Sequence, residues 1–227
     1  MKKQITTILA LSFVLCAAPL IFAQDLTIDD FTTGAYTSGS YKSGTNESIE
    51  SGSMLGGSRD TYFFICDTKK KGDCAARNPY DQPSAYGFFP ATGSRAAAMV
   101  QTAGYQVGPR IDMLYGEQSP MAVDFSGYQK IRISFQSLSQ GLNFNIQLFT
   151  GTSWAQGGCN IPTYPSPFSV ELPLNLFVVT KGFDFTQVKL MDVIFQTDSG
   201  IGSVDFGATS IVLTNTTAGG EVIDCHY

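Results

Sequence analysis

Few residues in this chain have the chemistry for covalent catalysis. Its single histidine, His226, stands one place from the C-terminus, and there is no Gly-x-Ser-x-Gly elbow. A nucleophile–base pair therefore has no well-placed imidazole to work with. Paired carboxylates need less, because glycoside hydrolysis asks only for two carboxyl groups at a suitable separation. Asp112, Glu117 and Glu171 are the candidates for such a pair, although nothing in their spacing brings them together. The stretch "SMLGGSRDTYFF" (Ser53 to Phe64) resembles a ligand loop, but it lacks both the GxGxxG spacing and the lysine of a phosphate loop. It also precedes a strand, so no helix N-terminus faces a phosphate. Gly56 and Gly57 are better read as a turn. Arg59 and Asp60 then tie that turn to a neighbouring strand.

Binding chemistry is more plentiful. "KIRISFQS" places Ile131, Ile133 and Phe135 on one side and Arg132, Ser134 and Gln136 on the other. "LNFNIQLF" alternates Leu142, Phe144, Ile146 and Leu148 with Asn143, Asn145 and Gln147. Period-two alternation of this kind marks strands with one face in the core and one in water. With "SLSQG" between them read as a hairpin turn, the two polar sets share one sheet surface. Amides and a guanidinium match sugar hydroxyls, and Trp154 supplies a ring that can stack on a pyranose. The competing reading is a solvated sheet whose amides bind only water.

Three acidic residues raise a cation question. Asp29, Asp30 and Asp205 would meet if the first and last strands lie together, and oxygen ligands there suit a structural calcium. The plain alternative is that Asp29 and Asp30 cap a turn. No other cofactor is expected. Apart from Cys16, the cysteines are Cys66, Cys74, Cys159 and Cys225, with no CxxC among them. An even set in an exported chain reads as disulfides, and three pairings are open. The short polar loop "CDTKKKGDC" favours Cys66–Cys74, which leaves Cys159–Cys225 to tie the C-terminal tail to the body. On chain entropy the two closures contribute about 2.5 and 4.5 kcal/mol.

These groups have to be positioned by strands. Helical periodicity is almost absent after the N-terminal segment, and "LTIDDF", "DTYFFI", "AAAMVQT", "RIDMLY", "FSVELPL" and "SVDF…SIVL" add further strand candidates. "DFSGYQKIRISFQS" (Asp124 to Ser137) aligns without gaps on "DFTQVKLMDVIFQT" (Asp184 to Thr197). The pair suits equivalent strands in two halves of a sandwich, each begun by an Asp-Phe turn whose side chains bond the local backbone. The alignment also sends Met191, Val193 and Phe195 inward. Many short strands and turns predict an all-β, two-sheet antiparallel sandwich of the jelly-roll, galactose-binding-like kind. Segment 32–53 is rich in Gly, Ser and Thr and reads as a flexible loop or irregular edge strand.

Residues 1–23 read as a signal peptide, with Lys2 and Lys3, an apolar run from Ile5 to Ala18, and small Ala23 before polar Gln24. The other reading of that run is an uncleaved anchor. Residues 24–227 then form one domain in a mature chain that does not span the membrane. Without Lys2 and Lys3, 12 basic residues stand against 19 acidic ones, a net charge near −7. That balance argues against nucleic acid as a partner.

"IDDFTTG", "MLGGSRDTYF", "DFSGYQKIRISF" and "DFTQVKLMDVIFQT", in this order, resemble a group of uncharacterised exported bacterial single-domain β-sandwich proteins. That group is similar in outline to galactose-binding-like carbohydrate-binding modules. The resemblance implies export to the periplasm or medium and carries no defined activity. Three readings follow. The first is a non-catalytic secreted or cell-envelope module that binds glycans. The second is a structural or adhesive envelope protein that binds a cell-surface protein. The third is a carbohydrate-active enzyme.

Overall fold

Period-two alternation is realised in the long strands of the computed structural model, which describes residues 24–197 and 203–225. The expected signal peptide and His226 lie outside the described residues. In chain order the strands are β1 (Leu26–Asp29), β2 (Tyr36–Thr37), β3 (Gly44–Ser51), β4 (Ser58–Cys66) and β5 (Ser84–Phe89). Next come β6 (Ala98–Ala103), β7 (Arg110–Tyr115), β8 (Lys130–Leu138), β9 (Leu142–Thr150) and β10 (Ser153–Ile161). The last are β11 (Phe168–Pro173), β12 (Val178–Val179), β13 (Leu190–Gln196), β14 (Asp205–Thr214) and β15 (Val222–Asp224). A five-residue helix, α1 (Asp73–Arg77), follows β4.

The strands form two sheets packed face to face, the expected all-β jelly-roll sandwich. One sheet runs β15-β11-β8-β14-β6-β5-β2, with β1 also on β14. The other runs β12-β10-β9-β13-β7-β4-β3. Ile131, Ile133 and Phe135 from the first meet Met191, Val193 and Phe195 from the second in a buried core. The Phe135 and Phe195 rings contact edge to face at 5.9 Å.

The internal repeat has a structural meaning. Asp124 Oδ1 accepts from the Ser126 N–H at 2.8 Å and its hydroxyl at 2.6 Å. Asp184 Oδ1 accepts the same two bonds from Thr186, at 2.9 and 2.8 Å. Each turn leads into a central strand, β8 in one sheet and β13 in the other. A third copy stands at Asp30-Phe31-Thr32, where Thr32 donates twice to Asp30 Oδ1. A carboxylate accepting both bonds fixes the chain direction just before a Phe that enters the core (Phe31, Phe125) or packs against it (Phe185).

One expectation about the sheets is overturned. β8 and β9 are consecutive but lie in different sheets. The end of β8 stays in its own sheet through paired backbone bonds between Leu138 and Tyr164 and a bond from Ser139 N–H to the Asp205 carbonyl. The chain then crosses the sandwich to begin β9. Alternation could not reveal this, because strands facing each other across a core have the same apolar period as neighbours within one sheet.

Segment 32–53, read as a flexible loop or an irregular edge strand, has strand structure. It carries two edge strands, and β3 pairs with β4 along its whole length. The inner face of β3 closes the sandwich with polar side chains in place of apolar ones. Asn46 Oδ1 accepts from the Tyr36 and Tyr86 hydroxyls at 2.9 and 3.0 Å. Glu50 reaches the interior and accepts from Arg59 Nε at 3.2 Å and from Thr61 at 3.0 Å.

Arg59 is fully buried. Its guanidinium also donates to Asp29 and to the Gly34 carbonyl, and it lies 3.4 Å from the centre of the Phe88 ring. Gly56 and Gly57 precede it at φ of 83° and 77°, where a side chain would be strained. The stretch that resembled a ligand loop is a turn feeding a buried structural arginine.

Both expected disulfides are formed. Cys66–Cys74 closes the lysine loop, and Cys159–Cys225 joins β10 of one sheet to the chain after β15 of the other.

Removing the Arg59 side chain leaves two buried carboxylates without their cation, a change that typically costs about 3–5 kcal/mol. Arg59→Ala should therefore lower the urea midpoint strongly, and Arg59→Lys should recover only part of the loss. Equal stability of Arg59→Ala and the parent would refute this role. The Cys159→Ala/Cys225→Ala pair opens a closure of 66 residues, worth about 4.5 kcal/mol on chain entropy. Its thermal midpoint should fall accordingly.

Candidate functional site

The crossover between β8 and β9 divides the expected binding face in two. Arg132, Ser134 and Gln136 look outward from the eight-stranded sheet, whereas Asn143, Asn145, Gln147 and Trp154 look outward from the seven-stranded one. Arg132 is committed within its own sheet. Its Nε donates to Glu171 Oε1 at 2.9 Å, and its NH2 group donates to the Thr216 carbonyl. Glu171 is 1% exposed and also accepts from Lys130 and the Ala218 N–H. Burial works against the charge on Glu171, but these donors outweigh it and hold the carboxyl below its usual range. Ser134 lies 3.4 Å from the Ser169 hydroxyl, and Gln136 is exposed beside a separate recess lined by Asp205.

The candidate cation ligands are likewise dispersed. Asp29 is buried and accepts from Arg59, from the Tyr115 hydroxyl at 3.0 Å and from the Phe31 N–H at 2.8 Å. Burial pushes its carboxyl up against the pull of Arg59. Asp30 is the turn cap described above, and Asp205 lies at the far end of β14 from the β1 pairing. Among the described residues no group of three His, Cys, Asp or Glu side chains is placed to hold a metal ion.

The outer face of the seven-stranded sheet is where polar groups collect. The register sets side chains in rows across the strands. One row reads Asn160 (β10), Asn143 (β9), Gln196 (β13), Arg110 (β7), Phe64 (β4). The next reads Gly158, Asn145, Ile194, Asp112, Tyr62, and the third Gln156, Gln147, Asp192, Leu114, Asp60. Trp154 and Phe149 begin a fourth. Neighbouring amides pair, with Asn143 donating to Asn160 Oδ1 at 2.9 Å and Gln147 to Gln156 at 3.5 Å. Gly158 leaves a gap in the second row, since a side chain there would meet the Phe144 carbonyl at 2.2 Å.

Three adjoining recesses follow these rows. One of about 800 Å³ is lined by Asn143, Asn160, Gln196 and, from α1, Asp73 and Arg77. A second, of about 660 Å³, shares Asn143 and Asn160 and reaches Asn145, Gln156 and Asp224. A third, of about 410 Å³, shares Gln196 and Arg77 and adds Tyr62, Phe64, Arg110 and Asp112. The disulfide loop positions α1 over this edge of the sheet, and Arg77 lies 5.3 Å above the Phe64 ring.

Two carboxyl groups lie on this face, and Asp112 lines the third recess. Asp112 takes both oxygens to Arg110, at 2.6 and 2.7 Å, yet burial still raises its carboxyl. Asp192 is buried, and burial together with the nearby Asp112 pushes it up to about 7 against the weaker pull of Arg110. Asp192 Oδ1 and Asn145 Oδ1 are buried with no hydrogen-bond partner among the described residues. Of the carboxylates expected as a pair, Asp112 belongs to this face and Glu171 to the other sheet.

Tyr62, Arg110, Gln156, Asn160, Asp192 and Gln196 were not among the expected site residues, and Asp112 was expected only as a member of a carboxylate pair. For Asp192 and Gln196 a signal was present, because the alternation that sends Met191, Val193 and Phe195 inward sends these outward. β10 gave less, since Gly157-Gly158 interrupts its apolar pattern.

No protein-family model matches the sequence, and no curated protein matches it significantly. Among solved structures, the chain is similar to a family 11 carbohydrate-binding module from Clostridium thermocellum in complex with a β-1,3-1,4-mixed-linked tetrasaccharide. Identity is 12% and the TM-score 0.40, with 85% of this chain and 96% of that one covered. The family 11 module of the cellulase Lic26A-Cel5E of Clostridium thermocellum gives 13% and 0.41, covering 90% and 99%. An agarase gives 8% and 0.42, and the match covers 86% of this chain but 25% of the agarase.

The Asp192 carboxyl makes a prediction about stability. Its folded value near 7 exceeds an ordinary aspartate value, so the folded state holds this proton more tightly than the unfolded chain. The favourable contribution is full below about pH 4 and is lost as pH rises to about 7, at up to about 1.4 kcal/mol per pH unit. Asp192→Asn should match the parent near pH 4 and be more stable at pH 8 by a few kcal/mol, measured by urea unfolding. A difference that does not change with pH would refute the assignment.

Proposed function

We propose that this protein is an exported, non-catalytic module that binds glycans on the outer face of its seven-stranded sheet. The observation that carries the reading is the set of amides around acceptors that lack a donor, with Asn145, Gln147, Gln156 and Gln196 partly buried and Asn143 and Asn160 exposed. An amide offers a donor and an acceptor side by side, which matches the paired hydroxyls of a sugar ring. Tyr62, Phe64 and Trp154 stand at the borders of this floor, and such rings can cover an apolar sugar face. The acidic balance of the chain favours an uncharged polysaccharide over an anionic one. Two disulfides accord with an oxidising compartment, and no helix among the described residues is long and apolar enough to cross a membrane.

One observation favours a second reading, glycoside hydrolysis. Asp112 and Asp192 are diagonal neighbours on this face, and a carboxyl near 7 suits a general acid. Against it, Asp112 is occupied by a bidentate pair with Arg110.

A panel of cello-, laminari-, xylo- and agaro-hexasaccharides with their parent polysaccharides, with and without calcium, tests both. Retention without release of reducing sugar is expected. Asn143→Ala and Gln196→Ala should each weaken binding about tenfold, the scale of a lost hydrogen bond in a desolvated site. Trp154→Ala should also weaken it, whereas Ser134→Ala and Gln136→Ala on the opposite sheet should not. No retention of any glycan would sink the binding reading, and reducing-sugar release that Asp192→Asn abolishes would replace it with the hydrolytic one.

A further inference from the structure

The centre of the amide face holds a carboxyl with an oxygen that no group among the described residues satisfies. Asp192 lies on the outward side of β13 yet is 9% exposed, and its Oδ1 has no partner among the described residues. Directly across from it stand Gln147 on β9 and Leu114 on β7. On the diagonals are Asn145, whose Oδ1 is also without a partner, and Asp112. The charged groups facing it come from β7, where Arg110 gives its hydrogen bonds to Asp112. β9 and β10 supply only the amides of Asn145, Gln147 and Gln156. From β4 come Tyr62 and Asp60, and Asp60 already accepts from Gln118 at 2.8 Å. Two acceptors therefore sit side by side on this face while Arg110 donates to Asp112 and Gln147 to Gln156, and a hydroxyl from outside would supply the missing donor.

We propose that Asp192 is the hydroxyl acceptor at the centre of this face, and that ligand binding is coupled to loss of one proton from it. The inference rests on the glycan reading above. A donor placed on a carboxyl favours its charged form, so the bound ligand lowers the proton affinity of Asp192 from its raised value near 7 and the proton passes to buffer. The sign follows from linkage. Affinity is constant well above pH 7 and falls as pH drops below it, by up to about tenfold per pH unit, until the value of the bound state is reached.

Carbon-13 NMR of the aspartate carboxyl groups in the ligand-free protein is the first measurement. One carboxyl should titrate close to neutrality, and Asp192→Asn should abolish that signal. Calorimetry with each hexasaccharide of the panel follows, at pH 5, 6, 7 and 8 and in two buffers of different ionisation enthalpy. Binding should be at least tenfold weaker at pH 5 than at pH 8, with proton release near pH 6.5. Asp192→Asn should bind more weakly than the parent at pH 8 and show no pH dependence. An Asp192 that titrates in the ordinary aspartate range overturns the proposal whatever binds. Binding whose affinity is flat across this range, or that Asp192→Asn leaves unchanged, overturns the coupling alone. If no hexasaccharide binds while the neutral titration is present, the glycan reading fails and the coupling fails with it.

Discussion

A single buried guanidinium holds the two sheets in register. Arg59, on β4 of the seven-stranded sheet, binds Asp29 on β1 of the other sheet and Glu50 on the edge strand β3, and lies against Phe88 of β5. Tyr115 on β7 completes the set by donating to the same Asp29. An arginine can hold such a position because its fork of N–H groups meets several acceptors in one plane while its flat face accepts a ring. Burying these charges is expensive, and Glu50 Oε1 is left without a partner. What the cluster supplies is specificity, since any slip of β1 or β3 by one residue would turn Asp29 or Glu50 to the wrong face.

The proposed binding surface inherits that register. Its rows exist only because β4, β7, β13, β9 and β10 are paired without slippage, so that Asn160, Asn143, Gln196 and Arg110 fall in line. The Asp-Phe-Ser/Thr turns act at the same level, starting a central strand of each sheet from a fixed direction. The disulfides work at the margins of this face. One holds α1 and Arg77 over one part of it, and the other keeps the chain after β15 at the edge of β10. Stability and site are thus separate layers of one sandwich, with Arg59 within and the amides on the outside. The Asp112–Asp192 neighbourhood is the exception, where the outer face keeps unsatisfied acceptors at the expense of stability.

Much of this was legible residue by residue. The inward sets of β8, β9 and β13 could be read from alternation, the Asp-Phe turns from the internal repeat, and the role of Arg59 from its place after two glycines. Other features were not. Segment 32–53 looked unfit for a core because its inward side chains are polar; Asn46 and Ser48 are satisfied by Tyr36 and Tyr86, and one oxygen of Glu50 by Arg59 and Thr61, residues that only folding brings within reach. Asp29 and Asp205 looked like ligands for one ion because both flank paired strands, but the pairing places them at opposite ends of β14.

The sequence by itself determined which side chains face the core and which face outward, because the two-residue period of a strand is a local property. It also determined that the chain folds as strands joined by turns, and that the cysteines could be paired. Only the tertiary structure decided which outward sets share a surface. That depends on whether each turn returns the chain to its own sheet or carries it across to the other, and both routes leave the same alternating pattern. The crossing after Leu138 is the case in point. It separates Arg132 from Asn145 and places Asn145 beside Asp192, a residue 47 positions further along the chain.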